Sequence, residues 1–313
     1  MELIDVTLRE GIYCDFGLNY ETALDYLRHF VKYVKPEDVR YVEYVYLNTY
    51  EHALLAYDKR YIEEASKILE GYKMVGMIHP GRVDFDEWDD NLIRRFSLVR
   101  IVCNGNDVPS IVDDYIKYLH NLGVKASVNI AYVMSKTDEQ IKNMYSKALS
   151  FGADYVYFAD SSGSANIYDI SHLCTILKES RKSNKIGFHL HDHLGMATAN
   201  AMQLYKDDID ITDVSITGAG KGAGNLCMEA FVPMLKYLNK DNLKAETLKN
   251  YVDFIDYFNN HVHREGDNHI IKLIESLTGF FKLPLKLTEK IEEEACGDVH
   301  KYIDLVYANV NTI

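Results

Sequence analysis

The chain has 313 residues, with 47 Asp and Glu against 34 Lys and Arg, a formal charge of −13. That acidic balance, without any Lys/Arg-rich run, argues against nucleic acid or an anionic membrane as partner. At 47% apolar and 26% charged residues, a chain of this length can bury its own core without disulfides or structural metal, which excludes disordered and collagen-like classes.

No run of 18 uncharged apolar residues predicts a membrane span, and the opening Met-Glu-Leu-Ile-Asp-Val lacks an apolar signal core. The five cysteines are scattered with no C-x-x-C pair, as suits reduced thiols. A cytoplasmic protein is expected.

In chain order, short β-branched runs alternate with longer amphipathic ones. Strands are expected at 3–8, 41–46, 73–78, 98–103, 124–130, 155–159, 186–191 and 211–216. Helices are expected near 20–34, 58–70, 87–95, 109–122, 138–151, 166–181, 195–206 and 223–238. Pro109 and Thr137-Asp138 mark helix starts, and Gly71, Gly123 and Gly152 mark stops. Eight βα units in this length predict a (β/α)8 TIM barrel over 1–240. An open doubly wound sheet is the rival, but strand 1 leads into Leu8-Arg9-Glu10-Gly11, which is no dinucleotide loop. Beyond 240 the alternation stops. Residues 241–313 read as a helical C-terminal extension, including a helix over 269–280 and a break at Pro284.

The seventh strand carries His189-Leu190-His191-Asp192-His193. Alternation puts His189 and His191 on one face, with Phe188 and Leu190 on the other, packing outward. Two imidazoles at the C-terminal end of a barrel strand suit adjacent positions around one metal ion. The bland alternative is a pair of hydrogen-bonded core histidines. His193, past the strand end, is open as ligand, substrate contact or neither. In strand 1, Asp5, Thr7 and Arg9 share a parity, opposite Ile4, Val6 and Leu8. The expectation is a polar inner face with Glu10 at its lip as the carboxylate ligand. After strand 8, Gly218-Ala-Gly-Lys-Gly-Ala-Gly224-Asn225 fits neither a P-loop nor G-x-G-x-x-G, but it lets backbone approach a ligand. Asn225 can offer a neutral oxygen to a metal.

Three segments, D-x-T-L-R-E-G from Asp5, the run His189–Asn200 and the run Gly218–Glu229, together resemble the signatures of the DRE-type TIM-barrel metallolyases. That superfamily includes 4-hydroxy-2-oxovalerate aldolase, hydroxymethylglutaryl-CoA lyase and the isopropylmalate and homocitrate synthases. The resemblance, nearest the hydroxy-oxovalerate aldolase branch, implies that Glu10, His189 and His191 hold a divalent metal, with Asn225 a further ligand. Mn²⁺ or Mg²⁺ suits such a mixed site, and Zn²⁺ also fits. It implies that Arg9 polarises a substrate carbonyl and that Ser161, in Asp160-Ser-Ser-Gly163, contacts a 2-oxo acid carboxylate.

The activity implied is making or breaking a C–C bond next to a 2-oxo acid carbonyl, with an aldehyde as partner substrate. The alternative is an acyl-CoA-dependent Claisen synthase. This chain departs from the synthases in having Ile12-Tyr13 after Gly11. Tyr13 is the candidate acid/base where the aldolase has a histidine. Lys221 replaces a frequent Arg, and His193 stands where Asp, Asn or Thr is commoner; both leave the substrate open, with His193 a candidate substrate contact. A homo-oligomer, in the simplest case a homodimer, is expected; no sequence feature transfers the aldolase branch's partner dehydrogenase to this chain.

Overall fold

The structure, a computed structural model, describes residues 1–12, 17–49, 55–241, 245–262 and 281–310. Tyr13 and the helix expected over 269–280 lie outside the described residues. Eight parallel strands close into a barrel in sequence order: β1 (Glu2–Asp5), β2 (Tyr41–Tyr46), β3 (Lys73–Ile78), β4 (Leu98–Cys103), β5 (Lys125–Ile130), β6 (Tyr155–Asp160), β7 (Lys185–Leu190) and β8 (Ile211–Val214). The ring is sealed where Glu2–Asp5 pairs with Ile211–Val214.

Around it lie α2 (Tyr20–Tyr33), α3 (Lys59–Ile68), α5 (Ile111–Asn121), α6 (Asp138–Ser150), α7 (Ile167–Ser180), α8 (Ala197–Lys206) and α9 (Met228–Leu238), preceded by a single turn α1 (Thr7–Gly11). Of the expected helix at 87–95 only a short piece, α4 (Asp90–Ile93), is helical. Capping boxes at Asn19/Thr22, Thr137/Gln140 and Asn166/Asp169 fix three of the helix starts.

The strands are buried on both faces, and alternation sorts their side chains into two cores. Phe188, Leu190, Val99 and Ile101 join the outer core against the helices, while Ile4, Val6, Tyr41, Val75, Leu98, Tyr155, Tyr157 and Ile211 fill the barrel itself. Following the inward phase toward the strands' C-terminal ends, Leu98 gives way to Arg100, Tyr41 to Glu43 and Ile211 to Asp213, all fully or almost fully buried. The barrel is therefore apolar at its base and charged at mid-height. Gly187 belongs to this packing: a Cβ there would stand 2.4 Å from Tyr157 Cζ, so the ring occupies the space a side chain would need.

Strand β1 corrects the expected face assignment. It ends at Asp5, not Leu8, and the residues that fill the barrel here are Ile4 and, just past the strand, Val6. Asp5 instead accepts a hydrogen bond from Tyr26 of α2 at 3.0 Å. The same carboxylate accepts from Thr7 N (3.2 Å) and Thr7 Oγ1 (2.5 Å), which turns the chain out of the strand and into α1.

Helix α10 (Ala245–His261) lies against α2, with Tyr26 and Phe254 ring centroids 5.5 Å apart and Tyr257 donating to Asp25 at 2.7 Å. The helices Leu285–Ala295 and Val299–Val310 form a separate small core of Leu283, Ile291, Ala295, Tyr302 and Val306. No described helix is long and apolar enough to cross a membrane.

Candidate metal centre

The α1 turn brings Arg9 and Glu10 to the barrel mouth. Successive residues on a helix differ by about 100°, so both address the same space, which strand alternation would have forbidden. Glu10 N bonds to Val6 O at 2.8 Å and closes the turn. From β7, His189 and His191 enter with ring centroids 4.9 Å apart and planes nearly perpendicular. His191 is just beyond the strand and pairs by an antiparallel bridge with Asn225. One ligand atom each from Glu10, His189 and His191 lies within 4.8 Å of the others, and all three residues are buried.

A layer of charge supports this group from below. Asp213 Oδ2 accepts from His189 Nδ1 at 2.8 Å, which places the ring proton on Nδ1 and leaves the Nε2 lone pair facing Glu10, whose Oε1 is 3.7 Å away. Arg100 donates to Asp213 (2.7 Å) and to Glu43 (3.1 Å). Its guanidinium lies 4.2 Å from the Tyr157 ring centre. The Asn129 amide, in the orientation that satisfies both its ends, accepts from Arg100 Nε at 2.9 Å. Arg9 donates through Nε to Glu43 at 2.7 Å and is ion-paired with Glu10. Burial alone would raise the Asp213 carboxyl, but Arg100, His189 and Arg9 outweigh it and hold it below its ordinary value. Burial drives His189 down and His191 well down, so both imidazoles are neutral, as metal ligation requires.

The donor set fits a divalent cation. Two guanidinium groups face three carboxylates, leaving one negative charge in excess. Among the described residues, His191 Nδ1 and Asn225 Oδ1 are buried with no hydrogen-bond partner, an arrangement that costs about 1–3 kcal/mol per group unless something else satisfies it. Asn225 Nδ2 is fixed by Ala219 O at 3.1 Å.

The other sequence-derived residues fall in two places. Ser161 lines the mouth cavity and accepts from Tyr132 N at 2.9 Å. His193 is buried outside that lining, between Gly163 and Gly222, and burial pushes its ring down to about 4. A Cβ on Gly222 would come within 2.5 Å of His193 Nε2, and Gly222 has φ +66°, so both space and backbone favour glycine there. Glu43, Arg100 and Asp213 were not anticipated. Their signal was one charged residue at the inward phase of each otherwise apolar strand (Tyr-Val-Glu-Tyr-Val-Tyr, Leu-Val-Arg-Ile-Val-Cys, Ile-Thr-Asp-Val).

The cavity above the cluster has a volume of about 440 Å³. Leu285 and Lys286 of the C-terminal helices form part of its wall, and Lys221 Nζ pairs with Glu289 of the same helix at 2.5 Å. Lys221 N also approaches Glu10 Oε2 at 3.4 Å.

Comparison with known proteins agrees with this architecture. A 4-hydroxy-2-oxovalerate aldolase from Thermomicrobium roseum is 25% identical over 240 residues, covering 75% of this chain and 66% of that protein. The chain thus spans just under two thirds of that relative, and only 51% of the aldolase from Chloroflexus aggregans. Among solved structures, the N-terminal domain of a Bacteroides vulgatus protein assigned as an aldolase superposes with a TM-score of 0.75 at 20% identity, covering 97% of this chain and 99% of that one. The HMG-CoA lyase from Brucella melitensis gives 0.65 at 14% identity, with 83% and 98% covered. These structural likenesses establish the barrel fold. The HMGL-like family model matches residues 95–257, more than half of the chain, and the chain belongs to that family.

Proposed function

We propose that the protein is a divalent-metal-dependent aldolase that makes or breaks the C–C bond beside a 2-oxo acid carbonyl. The observation that carries this reading is the buried Glu10–His189–His191 cluster with the Arg9 guanidinium at its side. Glu10, His189 and His191, with Asn225 as a fourth donor, would hold the ion, and mixed carboxylate–imidazole donors suit Mn²⁺ or Mg²⁺. When bound, the ion supplies Lewis acidity to a 2-oxo acid carbonyl.

The chain's own groups supply the rest. Asp213 keeps His189 in one tautomer and orientation. Glu43 holds the Arg9 guanidinium at the cavity wall, where it stabilises negative charge developing on the keto oxygen; a fixed donor of this kind is worth roughly 10²–10³ in rate. Ser161 is the candidate contact for the substrate carboxylate, and Tyr13 the candidate proton-transfer group. In cleavage, the 4-hydroxyl of a 4-hydroxy-2-oxo acid loses its proton and the C3–C4 bond breaks to release an aldehyde. Its electron pair becomes the enolate, which takes up a proton at C3 to give the free 2-oxo acid. The 25% identity to 4-hydroxy-2-oxovalerate aldolases supports the choice of substrate class.

The test begins with elemental analysis of protein purified without chelators, followed by exchange of pyruvate C3 protons in D2O. Wild-type protein is expected to carry about one divalent ion and to catalyse exchange. Glu10→Gln is expected to lose both. Exchange that is indifferent to chelator would overturn the proposal, and release of free thiol from acetyl-CoA with a 2-oxo acid would favour a Claisen synthase.

A further inference from the structure

The mouth cavity has two chemically distinct halves. One contains the metal cluster and is built from the ends of β7, β8 and the α1 turn. In a closed eight-stranded ring, β3 and β4 lie across the barrel from β7 and β8. That far half is lined by Asn48 after β2, His79 and Arg82 after β3, Asn104 after β4 and Lys286 from the C-terminal helix. Glu10 is the single acidic residue of the described cavity lining, and it belongs to the metal half.

His79 is set as a donor. Asn48 Oδ1 accepts from His79 N at 3.0 Å, which fixes the amide orientation, so Asn48 Nδ2 donates to His79 Nδ1 at 3.3 Å. With Nδ1 accepting, the ring carries a hydrogen on Nε2. Tyr46 stacks on the imidazole with centroids 5.3 Å apart and planes 13° off parallel, holding it in place. Lys286 forms no ion pair among the described residues and stands in the cavity wall. The cavity's 440 Å³ falls within the roughly 300–1,000 Å³ typical of pockets for sizeable ligands, more than pyruvate and a two-carbon aldehyde require.

We infer that the half of the cavity lined by His79, Arg82 and Lys286 is an acceptor subsite for an aldehyde bearing a second, anionic group, a carboxylate or a phosphate. The inference rests on the aldolase reading and specifies its substrate. In the addition direction a C3 proton leaves pyruvate, C3 bonds to the aldehyde carbon and the aldehyde oxygen gains a proton. The anionic group takes no part in the bond changes. It is held by the Lys286 cation, with the His79 Nε2–H as a further donor, and so orients the carbonyl toward the nucleophilic carbon.

The metal-loaded protein is offered pyruvate with acetaldehyde, succinic semialdehyde or glyceraldehyde 3-phosphate. At least one charged aldehyde is expected to exceed acetaldehyde tenfold or more in kcat/KM, and the better of the two identifies the anion. Lys286→Met is expected to lower kcat/KM for that aldehyde about tenfold more than for acetaldehyde. A parallel titration uses unreactive mimics, glycerol 3-phosphate and 4-hydroxybutyrate against propane-1,2-diol. One anion should bind at least tenfold more tightly than the diol, and Lys286→Met should abolish the difference. Pyruvate C3 exchange without preference for a charged aldehyde or mimic would sink the subsite and leave the aldolase intact. Lys286-dependent anion binding without exchange would sink the aldolase, and the acceptor role with it, leaving an anion site alone.

Discussion

At the scale of single residues, Arg100 is the structural pivot of the site. It is fully buried, and its donors reach Glu43, Asp213 and Asn129, so every charge it introduces is answered. Through Glu43 it braces Arg9, and through Asp213 it braces His189. Removing one member of such a network leaves the others uncompensated, at a cost of about 3–5 kcal/mol. We expect Asp213→Ala to weaken metal binding roughly 10–100-fold, the usual effect of losing a group that orients a ligating imidazole. Titration of the metal-stripped variant with Mn²⁺ would measure this, and unchanged affinity would contradict the support assigned to Asp213. The histidine pair was legible in the sequence because two imidazoles two positions apart stand out against the apolar Ile186, Phe188 and Leu190. Glu43, Arg100 and Asp213 were hard to see because each is one charge in a short strand, and only closure of the barrel brings strands 2, 4 and 8 together.

At the scale of elements, the passage from β1 to α1 shows where sequence reasoning failed and why. Alternation predicted Asp5, Thr7 and Arg9 on one inner face, whereas Asp5 faces α2 and bends the chain by accepting from Thr7. Side chain-to-backbone bonding of this kind is local chemistry that a two-residue period does not reveal. The burial that makes the bend firm also pushes the Asp5 carboxyl up to about 7 from an ordinary 3.8. The folded state therefore holds this proton more tightly than the unfolded chain does. The resulting stabilisation is complete below about pH 4, declines as pH rises toward 7 and is gone above it. Unfolding by urea between pH 4.5 and 7.5 should show wild-type stability falling relative to Asp5→Asn, by up to about 1.4 kcal/mol per pH unit. Parallel pH profiles for the two proteins would rule out this ionisation. Elsewhere the expected elements recur with shifts of a few residues. The larger losses are at 87–95, of which only Asp90–Ile93 is helical, and at 223–227, which lead into α9 through isolated bridges at Asn225 and Cys227.

At the scale of the whole molecule, the closed barrel was readable from the count of βα units, because eight strands at that spacing leave few other topologies. How the C-terminal residues would be placed was not, since amphipathic helices without a partner pattern do not say what they cover. The structure divides them. Helix α10 shares the barrel's outer core, whereas Leu285–Ala295 and Val299–Val310 hold a core of their own and meet the barrel at the mouth. Two such cores need not melt together, because cooperative units follow the contacts that unite them. Amide hydrogens of these last two helices should exchange with deuterium well before those of β4–β7, and a bound mimic such as glycerol 3-phosphate should slow them selectively. Exchange in step with the strands would show one cooperative unit instead. The wall of the cavity thus stands on a different footing from the scaffold that positions Glu10, His189 and His191.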